Sequence, residues 1–228
     1  MNQIRHFTYD LMFGAKHHAI NTPNLLARFF EKQDPNQRIL DVGVGTGIYF
    51  DDPRCCELIR TKNLTILGID LAGPDIQIAA ERIRRNGLAD LVRVQAVDLF
   101  DLTLEGFNVI VFTESYPVIP QAIMIRMIQH ICRTFKGQLN FINNIVERPA
   151  LLQRTKPYLK HIFFGTDWGR LVNCADIDRV FKDGGITEPA NVELLASATF
   201  NETMFGGHFR LPLCDFPLNQ YLISTSVG

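Results

Sequence analysis

Apolar residues fall into short, nearly unbroken runs, separated by stretches in which they recur at helical spacing. Arg38–Val42, Leu64–Ile69, Leu91–Val97, Phe107–Phe112 and Leu139–Ile145 read as five buried strands, because a strand covered on both faces needs no polar alternation. Asn21-Thr22-Pro23 supplies a capping residue and a first-turn proline, after which Leu25, Leu26, Phe29 and Phe30 recur through Lys32. Asp52-Pro53 opens a second helix over 53–61, and Gly73-Pro74-Asp75 opens a third, closed by Gly87. Pro120 begins a fourth helix ended by Gly137, and Ala175–Lys182 is a fifth ended by Gly184-Gly185. Val192–Phe200 and Tyr221–Val227 alternate as strands, joined by a loop around Gly206-Gly207 with no helix between them.

This rhythm predicts an α/β fold: a Rossmann-like, mostly parallel seven-stranded sheet with helices on both faces and a C-terminal antiparallel hairpin. The 228 residues suit one domain spanning 1–228, with 1–33 as an N-terminal cap region. Lys plus Arg number 23 and Asp plus Glu 24, a formal charge of −1, which predicts no pull toward a phosphate backbone or an anionic membrane. No apolar run approaches the ~18 residues of a membrane span. No apolar stretch of signal-peptide length follows the N-terminus, so a cytoplasmic protein is expected. Five cysteines make no paired Cys-x-x-Cys knuckles, no metal site is expected, and Cys55-Cys56 read as small buried residues of a helix.

In an open parallel sheet, ligands lie beyond the carboxyl ends of the strands. Four such ends carry suitable residues. The first is Asp41-Val42-Gly43-Val44-Gly45-Thr46-Gly47, whose alternating glycines let backbone approach a ligand that a Cβ would hold off. The triplet alone is weak evidence; after the first strand of a βαβ pattern it is stronger. Asp70 ends the second strand, where a carboxylate accepts from both hydroxyls of a ribose. Asp98 ends the third, placed to accept from an adenine amino group with Leu99 against the ring. Thr113-Glu114-Ser115-Tyr116-Pro117 leaves the fourth. Each acid singly is as readily structural as functional, but successive strand ends together make a binding wall.

The run Ile39–Gly47, with Gly68-Ile69-Asp70-Leu71 and Val97-Asp98-Leu99, resembles the cofactor motifs of class I S-adenosylmethionine-dependent methyltransferases. The resemblance covers nearly the whole chain, including the terminal hairpin. It implies S-adenosyl-L-methionine as cofactor, with the methionine portion at Asp41, Gly43, Gly45, Thr46 and Gly47. It further implies ribose at Asp70 beside Leu71, adenine at Asp98 and Leu99, and Glu114 and Ser115 near the methionine end. Asn108 stands where many members have aspartate, and Glu114-Ser115-Tyr116-Pro117 does not match the Asn/Asp-Pro-Pro-Tyr motif of nucleobase and glutamine-amide methyltransferases. No second glutamate follows Glu114 at the spacing of arginine methyltransferases. Tyr9–Gly14, with the loop through Tyr49, resembles small-molecule and phospholipid-headgroup N-methyltransferases.

The implied reaction is transfer of the sulfonium methyl to N or O of a small molecule by in-line displacement, in which placement of the nucleophile is the main task. Tyr9, Tyr116 and His161 are the candidate catalytic residues. Residues 146–174 form an expected substrate-side lid insert, because a long connection at a ligand-bearing edge is commonly a binding loop; it carries Tyr158, His161, Phe163, Phe164, Asp167 and Trp168. Tyr9, Tyr116 and Trp168 are placed to frame an amine through cation–π attraction. Arg82-Ile83-Arg84-Arg85 lies near a helix end, where cations suit the dipole, and reads as a solvated face. The expected partner is a small-molecule substrate, with a homodimer left open. Two alternatives stand beside this: a protein or RNA methyltransferase, and a noncatalytic cofactor-binding interaction subunit. A nicotinamide oxidoreductase expects Gly-x-Gly-x-x-Gly, and the third glycine here comes one position early.

Overall fold

The computed structural model describes residues 22–116, 119–145, 172–199 and 217–228. In chain order these form α1 (Thr22–Lys32), β1 (Arg38–Val42), α2 (Pro53–Thr61), β2 (Thr65–Asp70), α3 (Gly73–Arg85) and β3 (Val92–Ala96). There follow β4 (Val109–Thr113), α4 (Gln121–Thr134), β5 (Gly137–Asn144), α5 (Cys174–Gly184), β6 (Asn191–Thr199) and β7 (Pro217–Val227). The strands lie in one seven-stranded sheet in the order β3-β2-β1-β4-β5-β7-β6. β1 to β5 pair in parallel, and β7 runs antiparallel to both β5 and β6. The order reverses at β1, so the crevice between the carboxyl ends of β1 and β4 is the switch point at which such sheets bind ligands.

Local chemistry fixes the helix ends. The Asp52 side chain accepts from the Arg54 and Cys55 amides at the start of α2, and Asn173 accepts from the Asp176 amide at the start of α5. Strand alternation then feeds two apolar layers. Ile39, Val109, Val111, Ile142 and Leu222 pack under α1, α2 and α3, chiefly against Leu26, Phe30, Ile59 and Ile83. Leu40, Ile110, Phe112 and Phe141 pack under α4 and α5, against Ile128, Ile131, Val180 and Phe181. α1 runs antiparallel to β6: Lys32 pairs with Glu193 at 2.7 Å, and the Arg28 guanidinium donates to the Leu195 carbonyl farther along. That direction brings Thr22 to the carboxyl edge of the sheet.

Cys55 and Cys56 are buried on α2, where their thiols donate to the carbonyls of Pro23 (3.2 Å) and Phe50 (3.1 Å). Burial pushes both thiols above their ordinary range, which suits packing rather than nucleophilic reactivity. Among the described residues, no helix is long and apolar enough to cross a membrane.

Most element boundaries shift by one or two residues from the sequence reading and β7 begins four residues earlier, at Pro217; two of the shifts carry a packing reason. α4 ends at Thr134, with Phe135 already extended, and Gly137 opens β5 instead of closing the helix. Gly137 has φ +155°, and a Cβ there would lie 2.3 Å from the Asn108 carbonyl oxygen. Its glycine therefore serves the close approach of β5 to the chain entering β4. β4 itself starts at Val109 rather than Phe107. Asn108 precedes it, donating its amide to the Arg38 carbonyl (2.9 Å) and accepting the Arg38 amide on its side chain (2.8 Å). Asn21, the Gly206-Gly207 loop and most of the expected lid lie outside the described residues.

Gly137→Ala should lower the unfolding free energy by ~1–3 kcal/mol, the range for backbone strain and overpacking. Urea denaturation checks this, and an unchanged midpoint would contradict the close contact.

Candidate functional site

Beyond β1 the chain turns over the sheet edge through Gly43, Gly45 and Gly47, with φ of 83°, 55° and 60°. The Gly43 and Val44 amides both donate to the Ile69 carbonyl, at 2.8 and 3.1 Å, which anchors the loop to β2. Gly45 has open space above it: a Cβ there would meet nothing within 4 Å. Its amide donates to Asp70 Oδ2 at 3.0 Å, and the Ala72 amide donates to Asp70 Oδ1 at 2.9 Å. Two backbone donors thus orient the carboxylate, while each oxygen retains a lone pair for a further donor. Leu71, next in the chain, is 74% exposed.

The far side of the loop is held from α3. Arg82 Nη1 donates to the Thr46 carbonyl at 2.7 Å, and Arg82 Nε pairs with Asp51 Oδ2 at 2.9 Å. Arg85 and Asn86 also reach Asp51, at 2.6 and 2.9 Å. The basic run is therefore not uniformly a solvated face. Arg82 exposes only 13% of its side chain and braces the glycine loop, because its helical position borders that of buried Ile83.

Asp41 shares the α1–α3 face of β1 with Ile39 and is 2% exposed. The Tyr49 hydroxyl donates to its Oδ2 at 2.7 Å, while its Oδ1 is buried without a partner. Burial pushes the carboxyl from 3.8 to about 7, with the Tyr49 hydrogen bond opposing and the nearby Asp70 charge adding. Burial, followed by the Asp41 charge, drives the Tyr49 phenol well above its ordinary value. Thr22, Leu26, Thr46, Ile48 and Thr113 complete a pocket around Asp41, Tyr49 and the glycine loop. The hydroxyls of Thr22 and Thr113 are also buried without partners. Unsatisfied buried acceptors beside a desolvated carboxyl suit a ligand that brings N–H donors, an ammonium above all.

The other strand ends are arranged differently. Asp98 Oδ1 accepts from the Phe100 amide at 3.1 Å and caps the short turn Leu99–Asp101. Leu99 is buried in the layer beneath α4 and α5. Glu114 adopts φ 54°, a left-handed conformation costing a non-glycine residue ~1–2 kcal/mol, and its amide donates to the Ile142 carbonyl at 2.9 Å. The Ser115 hydroxyl donates to the Val42 carbonyl at 3.3 Å, tying the segment after β4 to the end of β1. Tyr116 is fully buried, edge-on to Phe141 with centroids 5.9 Å apart, and its hydroxyl donates to the Asp176 carbonyl at 3.4 Å. The structure thus gathers Asp41, Gly43, Gly45, Thr46, Gly47, Asp70 and Leu71 at the switch point, with Glu114 and Ser115 adjoining. It sets Leu99 and Tyr116 into the opposite apolar layer. Tyr9 and His161 lie outside the described residues, as do Tyr158, Phe163, Phe164, Asp167 and Trp168. Sequence reasoning missed Tyr49, Thr22 and Thr113 as pocket residues, although Thr113 was visible as the polar end of an apolar run.

A parallel sheet that ends in an antiparallel pair, with a glycine loop and a fixed carboxylate at its switch point, defines a Rossmann-like nucleoside-binding protein of the methyltransferase class. The methyltransferase-domain family matches residues 16–185, and the chain belongs to it, within the class I S-adenosylmethionine-dependent enzymes. No curated protein matches the chain. Among solved structures it is similar to a mitomycin 7-O-methyltransferase, at 17% identity and TM-score 0.62, over 90% of this chain and 54% of that one. The chain therefore spans about half the length of that enzyme. It is also similar to a geranyl diphosphate C-methyltransferase from Streptomyces coelicolor in complex with Mg2+, geranyl diphosphate and S-adenosyl-L-homocysteine. That match has 12% identity and TM-score 0.58, over 96% and 86% of the two chains. A third is a [4+2]-cyclase, at 17% identity and TM-score 0.59, over 89% and 81%. At these identities the likeness concerns the fold.

The folded Asp41 carboxyl lies above its unfolded value, so its stabilising contribution is full below pH 3.8 and is lost as pH rises through about 7. Asp41→Asn keeps an acceptor for Tyr49. At pH 8 it should raise the unfolding free energy of the ligand-free protein by ~1–3 kcal/mol, with little effect at pH 4. Urea denaturation at the two pH values is the measurement; equal effects at both would contradict the burial of that charge.

Proposed function

We propose that this chain transfers the methyl group of S-adenosylmethionine to a nitrogen or oxygen atom of a small molecule, acting as one methyltransferase domain. The observation that carries the reading is the switch-point pocket: an amide-oriented Asp70 on one side of the glycine loop, a buried half-satisfied Asp41 on the other, and open space over Gly45 between them. In this assignment Asp70 accepts from the ribose hydroxyls, and exposed Leu71 lies against the adenine with Asp98 toward its amino group. The free oxygen of Asp41 receives the ammonium of the methionine portion, whose charge would draw the Asp41 proton off. Loop backbone from Gly43 to Gly47 approaches the methionine portion closely, and Glu114 and Ser115 stand near that end.

The bound cofactor supplies a methyl group already activated on sulfonium. What remains for the protein is to hold a nucleophile in line with it and exclude water. Residues 1–33 and 146–174, with Tyr9 and His161, are assigned to the acceptor side, where a base is required if the nucleophile must lose a proton. Tyr116 acts from the core, steadying the segment that carries Glu114 and Ser115. A small acceptor is supported by the near-neutral net charge of −1 and by the small molecules named for the mitomycin and geranyl diphosphate enzymes of like fold.

Calorimetric titration should show S-adenosylhomocysteine binding, with Asp70→Ala weakening it by ~1–3 kcal/mol through lost charge-assisted bonds; unaltered affinity would deny Asp70 its ribose. Labelled methyl transfer, run against fractionated small metabolites, lipids, RNA and protein, should mark a small-molecule fraction. Label in RNA or protein alone would replace the acceptor assignment with a macromolecular one.

A further inference from the structure

On the sheet face covered by α1, the carboxyl ends of β4 and β5 and the amino end of antiparallel β7 carry polar side chains, and buried Asn140 stands farther back on the same face of β5. Thr113 closes β4 beside Ile142 of β5. Two residues beyond Ile142, on the same face by strand alternation, stands Asn144. Gln220 of β7 lies opposite Asn144 in antiparallel register and pairs in turn with Ala196 of β6. Ile142, Leu222 and Ala196 belong to the same layer as Leu26, and Leu26 lines the Asp41 pocket together with Thr113. Thr113 thus belongs both to that pocket and to the row, which runs from β4 away from Asp70, across β1 on β2.

Its hydrogen bonding is incomplete. Thr113 Oγ1, Asn144 Oδ1 and Gln220 Oε1 are all buried, and none has a partner. Thr113 is 9% exposed and Gln220 5%. A buried acceptor without a donor is a standing penalty to the folded state, and native proteins seldom tolerate one without a reason. Asn140, Asn143 and Thr225 carry further buried unpartnered atoms on β5 and β7, but these three oxygens lie on one face of neighbouring strands, at the edge where this fold binds ligands.

We propose that Thr113, Asn144 and Gln220 form the floor of the methyl-acceptor subsite, selecting a small molecule that presents O–H or N–H donors to the facing Asn144 and Gln220 oxygens and to Thr113. The proposal deepens the methyltransferase reading and rests on it for the neighbouring cofactor. Thr113 is the member shared with the cofactor pocket, so it takes the donor nearest the transferred methyl, while Asn144 and Gln220 hold the remainder of the acceptor. A ligand whose donors have all been methylated leaves the Asn144 and Gln220 carboxamide oxygens as unsatisfied as before, so the floor discriminates against exhaustively methylated compounds.

The test uses Asn144→Leu and Gln220→Met, each replacing an orphaned carboxamide with an apolar side chain of similar size. In the ligand-free protein each should raise the Tm by about 2–4 °C, because a buried unmade hydrogen bond is removed; a Tm lowered in both would assign the pair to the architecture and overturn the proposal. The binding probes are catechol and 2-aminophenol at millimolar concentration, with 1,2-dimethoxybenzene as the donor-free control, in thermal-shift titrations with and without S-adenosylhomocysteine. The donor-bearing probes should stabilise the wild-type protein, bind at least tenfold more weakly to both variants, and outcompete the control. Equal binding of catechol and 1,2-dimethoxybenzene, or no stabilisation of the wild-type protein by either donor, overturns it. Calorimetry on the same variants should give S-adenosylhomocysteine affinities within twofold of wild type, whereas a large loss in both would assign the row to the cofactor and overturn the proposal. Absence of S-adenosylhomocysteine binding to the wild-type protein would instead remove the cofactor reading, an outcome the ligand-free fragment comparison separates from failure of the floor.

Discussion

The hydrogen bond from the Gly45 amide to Asp70, opposed by the Arg82 guanidinium on the Thr46 carbonyl, holds the glycine loop between β2 and α3. Both contacts are to backbone, so the loop is fixed without any side chain of its own filling the space above it. Arg82 is itself held by Asp51, which is shared with Arg85 and Asn86. A loop braced this way enters binding already ordered, and little conformational entropy remains to be lost when a ligand arrives. The same brace ties β1, β2 and α3 together on one side of the crevice.

The pocket beside that loop trades stability against ligand complementarity. Asp41 is buried with one oxygen bonded to Tyr49 and the other unpaired, an arrangement that folding alone disfavours. Glu114, in a left-handed conformation at the end of β4, adds backbone strain on the other side of the crevice. Features of this kind concentrate where a protein must present unsatisfied groups to a partner.

Much of this was legible in the sequence, because it is local. The limits of β1 and α2, the left-handed glycines after β1 and the acids at the ends of β2 and β3 follow from short-range pattern and turn chemistry. What escaped depends on residues far apart in the chain. Gly137 reads as a helix stop until β5 is laid against Asn108, and Arg82 reads as solvated until α3 is turned toward Thr46. Tyr49 joins the pocket only because the turn after Gly47 folds back over β1. Asn144 and Gln220 are unremarkable polar residues in sequence, and they become a pair only through the β5–β7 register. Leu71 and Leu99 show the reverse ambiguity: both follow a strand-end acid, yet one is open to solvent and the other buried, a difference decided by the turn that each enters.

The placement of β7 between β5 and β6 has a consequence for assembly. β6 precedes β7 in the chain but sits at the sheet margin, where β7 is its strand neighbour, so during vectorial synthesis on the ribosome β6 emerges before the strand it must zip onto. Until then its hydrogen-bonding edge is unpaired, and α1 lacks the Leu195 carbonyl that Arg28 grips across 167 positions of sequence. The two strands must therefore dock as one late unit, closing a loop of high contact order. A nascent chain halted short of β7 would already carry the glycine loop and Asp70, but it would lack Gln220 and the strand that joins β6 to β5.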